Sequence, residues 1–219
     1  MTNNSTNWDH YYSRPTPKYT AITRSLSTRK LVGLLSEIAP RKGAFSVCEF
    51  GGANSCFVEA LCEQLVINRY HVIDLNEYGL NLLKSKSGRC PLTWELQDIL
   101  SSTEGQQFDV VYSVGLIEHF DSAGTAQSIA SHFARCVPGG VVLMTFPTPT
   151  LPYNIIRTTA EILGRWNFPD ERPLAFEEVV TECRRFGTVV HQSINWGIGL
   201  TQGYVVARKA GDLPATIGH

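Results

Sequence analysis

The stretch Val47-Cys48-Glu49-Phe50-Gly51-Gly52-Ala53-Asn54-Ser55 closes an apolar run and opens a helical one. Small residues there let the backbone turn sharply and let a ligand approach the main chain, and the helix start offers unpaired N–H groups. A dinucleotide fold opens in the same way. The nicotinamide fingerprint wants Gly-x-Gly-x-x-Gly, but from Gly51 the chain runs Gly, Gly, Ala, Asn, Ser, Cys. Glu49 also stands just ahead of the loop, where a carboxylate would repel a pyrophosphate. A cationic ligand removes that objection. Further on, Asp74 ends the run His71-Val72-Ile73-Asp74. An acid directly after a buried strand and about 20 residues past a Gly loop suits ribose hydroxyls. Its other reading is a cap for a helix beginning near Asn76. Asp98 follows Leu96-Gln97 and is either a ligand acid or a turn aspartate before Ser101-Ser102. His119, in Leu116-Ile117-Glu118-His119-Phe120, is the best candidate for a general base, because an unperturbed imidazole titrates near pH 6.5. Its plainer role is to line the site or orient its loop.

Short apolar runs rich in Val and Ile must carry these groups: residues 45–50, 70–74, 92–97, 108–114, 141–146, 189–195 and 204–207. Without clean alternation, such runs suit strands of a parallel sheet covered on both faces. Helically spaced segments lie between them, for example Phe57, Leu61 and Leu65, then Ile129 and Phe133, then Val179, Val180, Cys183 and Phe186. Alternating strand and helix imply right-handed crossovers and a doubly wound α/β sheet. Pro138-Gly139-Gly140 is expected to break the chain before the fifth strand, and Gly164 and Gly187 to stop helices. Ahead of the first strand, Ile22, Leu26, Leu31, Leu34, Leu35 and Ile38 mark an amphipathic helix, preceded by the aromatic, Pro-punctuated segment 7–19. The expected organisation is therefore a cap over 1–40, a ligand-binding domain over 41–210 and a disordered tail over 211–219, with the first six residues disordered as well.

In this order and spacing the motifs resemble those of the class I S-adenosylmethionine-dependent methyltransferases, over about residues 44–208. That family's first motif is a strand ending in an acid followed by Gly-x-Gly-x-Gly, here Glu49, Gly51, Ala53 and Ser55, with small residues replacing two of the three glycines. Asp74, Asp98, the run 108–114 with its following loop, and Val137-Pro138-Gly139-Gly140 match the later motifs. The resemblance implies a seven-stranded, mostly parallel, Rossmann-like methyltransferase fold with an N-terminal helical lid. It implies S-adenosyl-L-methionine as cofactor, held by Glu49, Gly51, Gly52, Ala53, Ser55, Asp74, Leu75, Asp98, Ile99 and Val114. Within it, Asp74 would take the ribose hydroxyls, Asp98 would sit beside the adenine amino group, and Glu49 would orient the methionine amino group, directly or through the loop. No metal is expected, since Phe146-Pro147-Thr148-Pro149 follows strand five without the carboxylate of the catechol-type enzymes.

Tyr11, Tyr12, Tyr153, Trp166 and Trp196 are the expected acceptor-side rings, suited to sugar faces and aromatic rings alike. The run from Phe146 to Leu174 is similar to methyltransferases encoded with bacterial surface-polysaccharide pathways. Metal-independent O-methylation of a small molecule or a sugar or glycan hydroxyl is thus the leading expectation. A non-catalytic cofactor-binding partner subunit and, less favoured, a nicotinamide-dependent reductase are the alternatives.

Composition agrees with this class. At 219 residues, 43% hydrophobic and 18% charged, the chain is long enough for a sizeable core and too apolar for disorder. Nineteen basic against twenty acidic side chains give a net charge of −1, and no basic cluster longer than a pair occurs. A nucleic-acid surface is disfavoured on that ground. No apolar run reaches the roughly 20 residues of a membrane span and no secretory signal is visible, so a cytoplasmic location is expected, with the oligomeric state open. The six cysteines, scattered and partly in apolar runs, read as buried thiols, not as zinc ligands or disulfides.

Overall fold

The computed structural model describes residues 5–14, 18–40, 43–86 and 89–211. Seven strands form one sheet: β1 (Phe45–Phe50), β2 (Ile67–Asp74), β3 (Leu92–Leu96), β4 (Phe108–Val114), β5 (Cys136–Pro147), β6 (Gly187–Asn195) and β7 (Gln202–Lys209). Their order is β3-β2-β1-β4-β5-β7-β6. The first five pair in parallel, and β7 runs antiparallel to both β5 and β6. Seven helices accompany them: α1 (Trp8–Ser13), α2 (Lys18–Ile38), α3 (Val58–Gln64), α4 (Glu77–Leu83), α5 (Ser122–Ala134), α6 (Leu151–Ile162) and α7 (Phe176–Arg184). Single 3₁₀ turns cover Ile99–Ser101 and Ile117–His119.

Alternate residues of each central strand feed opposite cores, as a period of two requires. Val47, Tyr70, Val72, Tyr112 and Leu143 pack under Leu31 and Leu35 of α2 and Leu61 of α3. Cys48, Phe50, Ile73, Val111 and Met144 pack under Ile129 and Phe133 of α5 and Val179 and Cys183 of α7. All six residues of β1 are buried, so its Val- and Phe-rich run cannot alternate. Strand order reverses between β1 and its neighbours β2 and β4, which opens a crevice at their carboxyl ends, the usual ligand position in such sheets.

The structure corrects several expectations. Pro138-Gly139-Gly140 lies inside β5, where pairing with β4 jumps from Phe108↔Cys136 to Val110↔Val141. The irregularity absorbs a proline that cannot donate to a ladder. Gly187 opens β6, because a Cβ there would lie 2.1 Å from the Arg208 carbonyl oxygen; α7 has already ended at Arg184. Gly164, at φ +63°, does stop α6. Ile22 stands exposed on α2, whereas Leu31, Leu34 and Leu35 are buried. Cys62 and Cys90 form a disulfide with Cα atoms 5.6 Å apart, joining α3 to the chain before β3; Cys48, Cys136 and Cys183 are buried free thiols and Cys56 is half-buried. Thr6 is buried and hydrogen-bonded to Asp170, against the expectation of disorder over the first six residues. Expectations for residues 1–4 and 212–219 lie outside the described residues. Among the described residues no helix is long and apolar enough to cross a membrane.

Candidate functional site

A cavity of about 600 Å³ occupies the crevice, lined at one end by Gly51, Gly52, Asp74 and Asp98 and at the other by His119, Tyr153, Trp166 and Asp170. The loop after β1 forms its floor. Gly51 sits at φ +71°, and a Cβ on it would lie 2.9 Å from Leu116 Cδ1. A Cβ on Gly52 would lie 2.5 Å from the Glu49 carboxyl carbon. Neither position therefore tolerates a side chain, and the bare backbone faces the cavity.

Beneath the loop, Glu49 is 3% exposed and accepts a 2.5 Å hydrogen bond from the Tyr70 hydroxyl. That hydroxyl also bonds the Tyr112 hydroxyl. Burial raises the Glu49 carboxyl above its ordinary range, and hydrogen bonds from Ser55, Tyr70 and Tyr112 work against the rise. Ser55 Oγ accepts from the N–H groups of Phe57 and Val58 at 3.1 and 3.3 Å. The serine that replaces a motif glycine thus secures the start of α3. Ala53, fully buried, stays off the cavity wall and donates its N–H to Asp74 at 3.0 Å.

Asp74 also accepts from the Asn76 N–H at 2.7 Å. Burial raises its carboxyl, and these backbone bonds oppose the shift. The cap of α4 is Asn76, which accepts from the Gly79 N–H at 2.6 Å, so Asp74 keeps an edge on the cavity. Asp98 caps the 3₁₀ turn through the Leu100 N–H at 2.9 Å and lines the cavity too, as do Leu75, Ile99 and Val114.

At the far end, His119 Nδ1 lies 3.0 Å from Asp170 Oδ1. Asp170 is itself held by the Thr6 N–H at 2.9 Å and by the Thr6 hydroxyl. Burial lowers the His119 pKa, with the Asp170 carboxylate opposing. For Asp170, burial acts upward, but hydrogen bonds from Thr6 and His119 overcome it and hold the carboxyl low. The imidazole is therefore neutral near pH 7, with a carboxylate fixing one nitrogen and the other left for chemistry. Trp8 meets its ring edge-on at 5.0 Å.

Tyr11, Tyr12, Tyr153 and Trp166 line the cavity. Tyr153 is buried, and its hydroxyl bonds Glu171. Trp196 does not join them: it is 64% exposed, at the turn after β6, and Ile198 and Leu200 line the wall instead. Sequence reasoning missed Trp8, Glu118, Phe168, Asp170 and Glu171 as site residues. Glu118 was visible next to His119. The run Trp166 to Pro173 was visible as a block, but nothing local told that it folds back on residue 119. Among the described residues, Glu118, His119 and Glu171 offer atoms within 4.8 Å of one another, a set able to surround a cation. Its acids come from the β4 loop and from the segment after α6, not from the end of β5 where a carboxylate was sought.

Residues 48–144 match a family model described as a methyltransferase domain, which spans the glycine loop, Asp74, Asp98, His119 and β5. No curated protein matches the chain. Among solved structures, an N-methyltransferase, NodS, from Bradyrhizobium japonicum WM9, determined with S-adenosyl-L-homocysteine, is 20% identical, with 83% of this chain and 86% of that one covered at a TM-score of 0.60. Magnesium protoporphyrin IX methyltransferase from Synechocystis PCC 6803, with the same compound bound, is 12% identical over 93% of each chain at 0.69. An O-methyltransferase family protein from Burkholderia thailandensis is 14% identical, with 85% of this chain and 57% of that one covered at 0.63. In this chain the glycine floor, which any Cβ would obstruct, and the acids at the ends of β1 and β2 line one cavity. Residues 48–144 thus match a methyltransferase domain, and the chain shares the fold of these methyltransferase structures.

Proposed function

We propose that the protein methylates a nucleophilic hydroxyl or amino group of a small-molecule acceptor, sugars and glycan precursors included, with His119 as general base. The observation that carries this reading is the His119–Asp170 pair, at 3.0 Å, in the same cavity as the glycine loop and Asp74. S-adenosylmethionine supplies an activated methyl group at a sulfonium centre. Asp74 would hold its ribose, Gly51 and Gly52 its backbone-facing side, Asp98 and Ile99 its adenine, and Glu49 its amino-acid end through the loop.

The protein's own work is then to position and deprotonate. Holding two reactants in line recovers roughly 7–11 kcal/mol of barrier. A hydroxyl or a protonated amine must in addition lose a proton, and His119 Nε2 can take it while Asp170 stabilises the imidazolium that results. Tyr11, Tyr12, Tyr153 and Trp166 give the acceptor flat apolar surfaces on which a sugar or aromatic ring stacks. A non-catalytic partner subunit has no use for a carboxylate-oriented imidazole in the same cavity as the glycine loop, which argues against that alternative.

The test is calorimetric titration with S-adenosylhomocysteine, with oxidised nicotinamide dinucleotide as the control. Micromolar binding of the first alone supports the assignment of the cofactor end, and binding of the second alone overturns it. His119→Ala, which should keep that affinity and lose turnover, tests the catalytic end.

A further inference from the structure

The acceptor end of the cavity is acidic in a way that a neutral hydroxyl does not need. Glu118 lines it at 2% exposure, and its Oε2 has no hydrogen-bond partner among the described residues. A buried, unmatched carboxyl oxygen is costly unless a ligand supplies its partner. Glu171 stands beside it, and Asp170 lies behind His119. The arginines nearest this end are engaged with other groups: Arg24 lines the cavity and donates to the Tyr11 hydroxyl at 3.3 Å, and Arg157 donates to the Tyr153 hydroxyl at 3.0 Å. Arg157 makes its short bond to Glu161 at 2.8 Å and comes no nearer than 3.8 Å to Glu171. The remaining walls are rings: Trp8 against His119, and Trp166 and Phe168 with centroids 6.1 Å apart. Carboxylates and aromatic faces together are the surroundings that favour an organic cation.

Ligand atoms of Glu118, His119 and Glu171 lie within 4.8 Å of one another, close enough for a single cationic centre to meet all three.

We propose that the acceptor is an amine, which enters as its ammonium ion and is seated between Glu118, Glu171 and His119. The inference rests on the methyltransfer reading above and specifies its nucleophile. An N–H bond of the ammonium breaks, the proton passes to His119 Nε2, and the pair left on nitrogen forms the new N–C bond to the methyl group. The electrons of the C–S bond remain on sulfur, so the products are a methylated ammonium, S-adenosylhomocysteine and a protonated His119 that returns its proton to solvent. The carboxylates have a second use, since they offset the repulsion between an ammonium and a sulfonium held close together. Burial raises the Glu118 carboxyl well above its ordinary range, and a bound ammonium pulls it back down, so binding of the ammonium should release protons.

The probes are benzylammonium and its neutral counterpart benzyl alcohol, titrated calorimetrically into protein saturated with S-adenosylhomocysteine. Benzylammonium should bind at least tenfold more tightly, and should release a proton, read from the dependence of the heat on buffer ionisation enthalpy. Glu118→Gln and, separately, Glu171→Gln should each cut the preference tenfold or more and leave the affinity for S-adenosylhomocysteine unchanged. Should Glu118→Gln fail to fold, the more exposed Glu171→Gln carries the comparison. Equal affinities, absence of binding by benzylammonium, or a preference untouched by the variants overturns the proposal. Stoichiometric binding of manganese or zinc that both variants abolish and that excludes benzylammonium also overturns it and makes the trio a metal centre. Loss of S-adenosylhomocysteine binding by the unaltered protein would be a different failure, that of the cofactor reading itself.

Discussion

Asp74→Ala removes the acceptor of the Ala53 and Asn76 N–H groups together with the proposed ribose contact. The affinity for S-adenosylhomocysteine should fall by about 1–3 kcal/mol, or about 5- to 150-fold, in a calorimetric titration. His119→Ala should leave that affinity nearly intact and lower turnover by about 10²–10⁴-fold. The pH profile separates a base from a structural residue. Because burial lowers the His119 pKa below its ordinary 6.5, the rate should be flat above that pH and decline on the acid side below it. Asp170 opposes the shift, so Asp170→Asn should move the acid limb to lower pH and reduce the plateau. Glu118 makes a stability prediction of opposite character. Burial raises its carboxyl well above 4.5, so the folded state holds a proton that the unfolded state has released. Stability is then lost as pH rises from 4.5 through the raised value. Glu118→Gln cannot ionise, and its unfolding free energy, read from denaturant titrations, should exceed the parent's by a margin that grows with pH across that window, reaching about 1–3 kcal/mol.

The loop between β1 and α3 is where an element's geometry decides binding. Gly51 requires the left-handed region and Gly52 lies over the Glu49 carboxyl. Gly52→Ala must displace Glu49 from Tyr70 or lift the loop into the cavity. A loss of S-adenosylhomocysteine affinity of tenfold or more is expected, with a cost to folding of about 1–3 kcal/mol; binding unchanged from the parent would show that the loop is not the cofactor floor. This element was readable in the chain because close backbone approach leaves a signature of small residues after an apolar run. The roles of Ala53 and Ser55 were not, since they depend on Asp74 and on the start of α3. The aromatic cap was half legible. Tyr11 and Tyr12 could be assigned to the cavity from their place in a polar, aromatic segment, but Trp8 in the same segment gained its place only by meeting His119. Trp196 shows the converse, an aromatic residue of the right kind that the turn after β6 carries into solvent.

For the whole molecule, a ligand that binds only the folded state should raise its stability by mass action. At 100 times its dissociation constant, S-adenosylhomocysteine should add about 2.7 kcal/mol, or about 5–10 °C in a thermal melt of a chain this size. No shift would contradict a preformed cofactor site. The alternation of buried strands with amphipathic helices was fixed by the sequence, because apolar runs too continuous for one-sided exposure demand helices on both faces of a parallel sheet. So were the places of Glu49, Gly51, Asp74 and Asp98, which lie at or just past the carboxyl ends of β1, β2 and β3 and need only those strands to be placed. Pro138 within β5 and Gly187 at the start of β6 escaped, because their strand assignment depends on pairing with β4 and β7. The acceptor end belongs to tertiary structure alone. His119 and Asp170 are 51 residues apart, Thr6 and Asp170 are 164 apart, and no local pattern encodes a contact made by folding a segment back over the sheet. The sequence by itself determined the sheet, the glycine loop and the acids at the strand ends, which are local consequences of periodicity and chain turning. Only the tertiary structure brought three carboxylates, one imidazole and a wall of rings to a single point, because burial against a distant segment decides which of many polar residues lose their water.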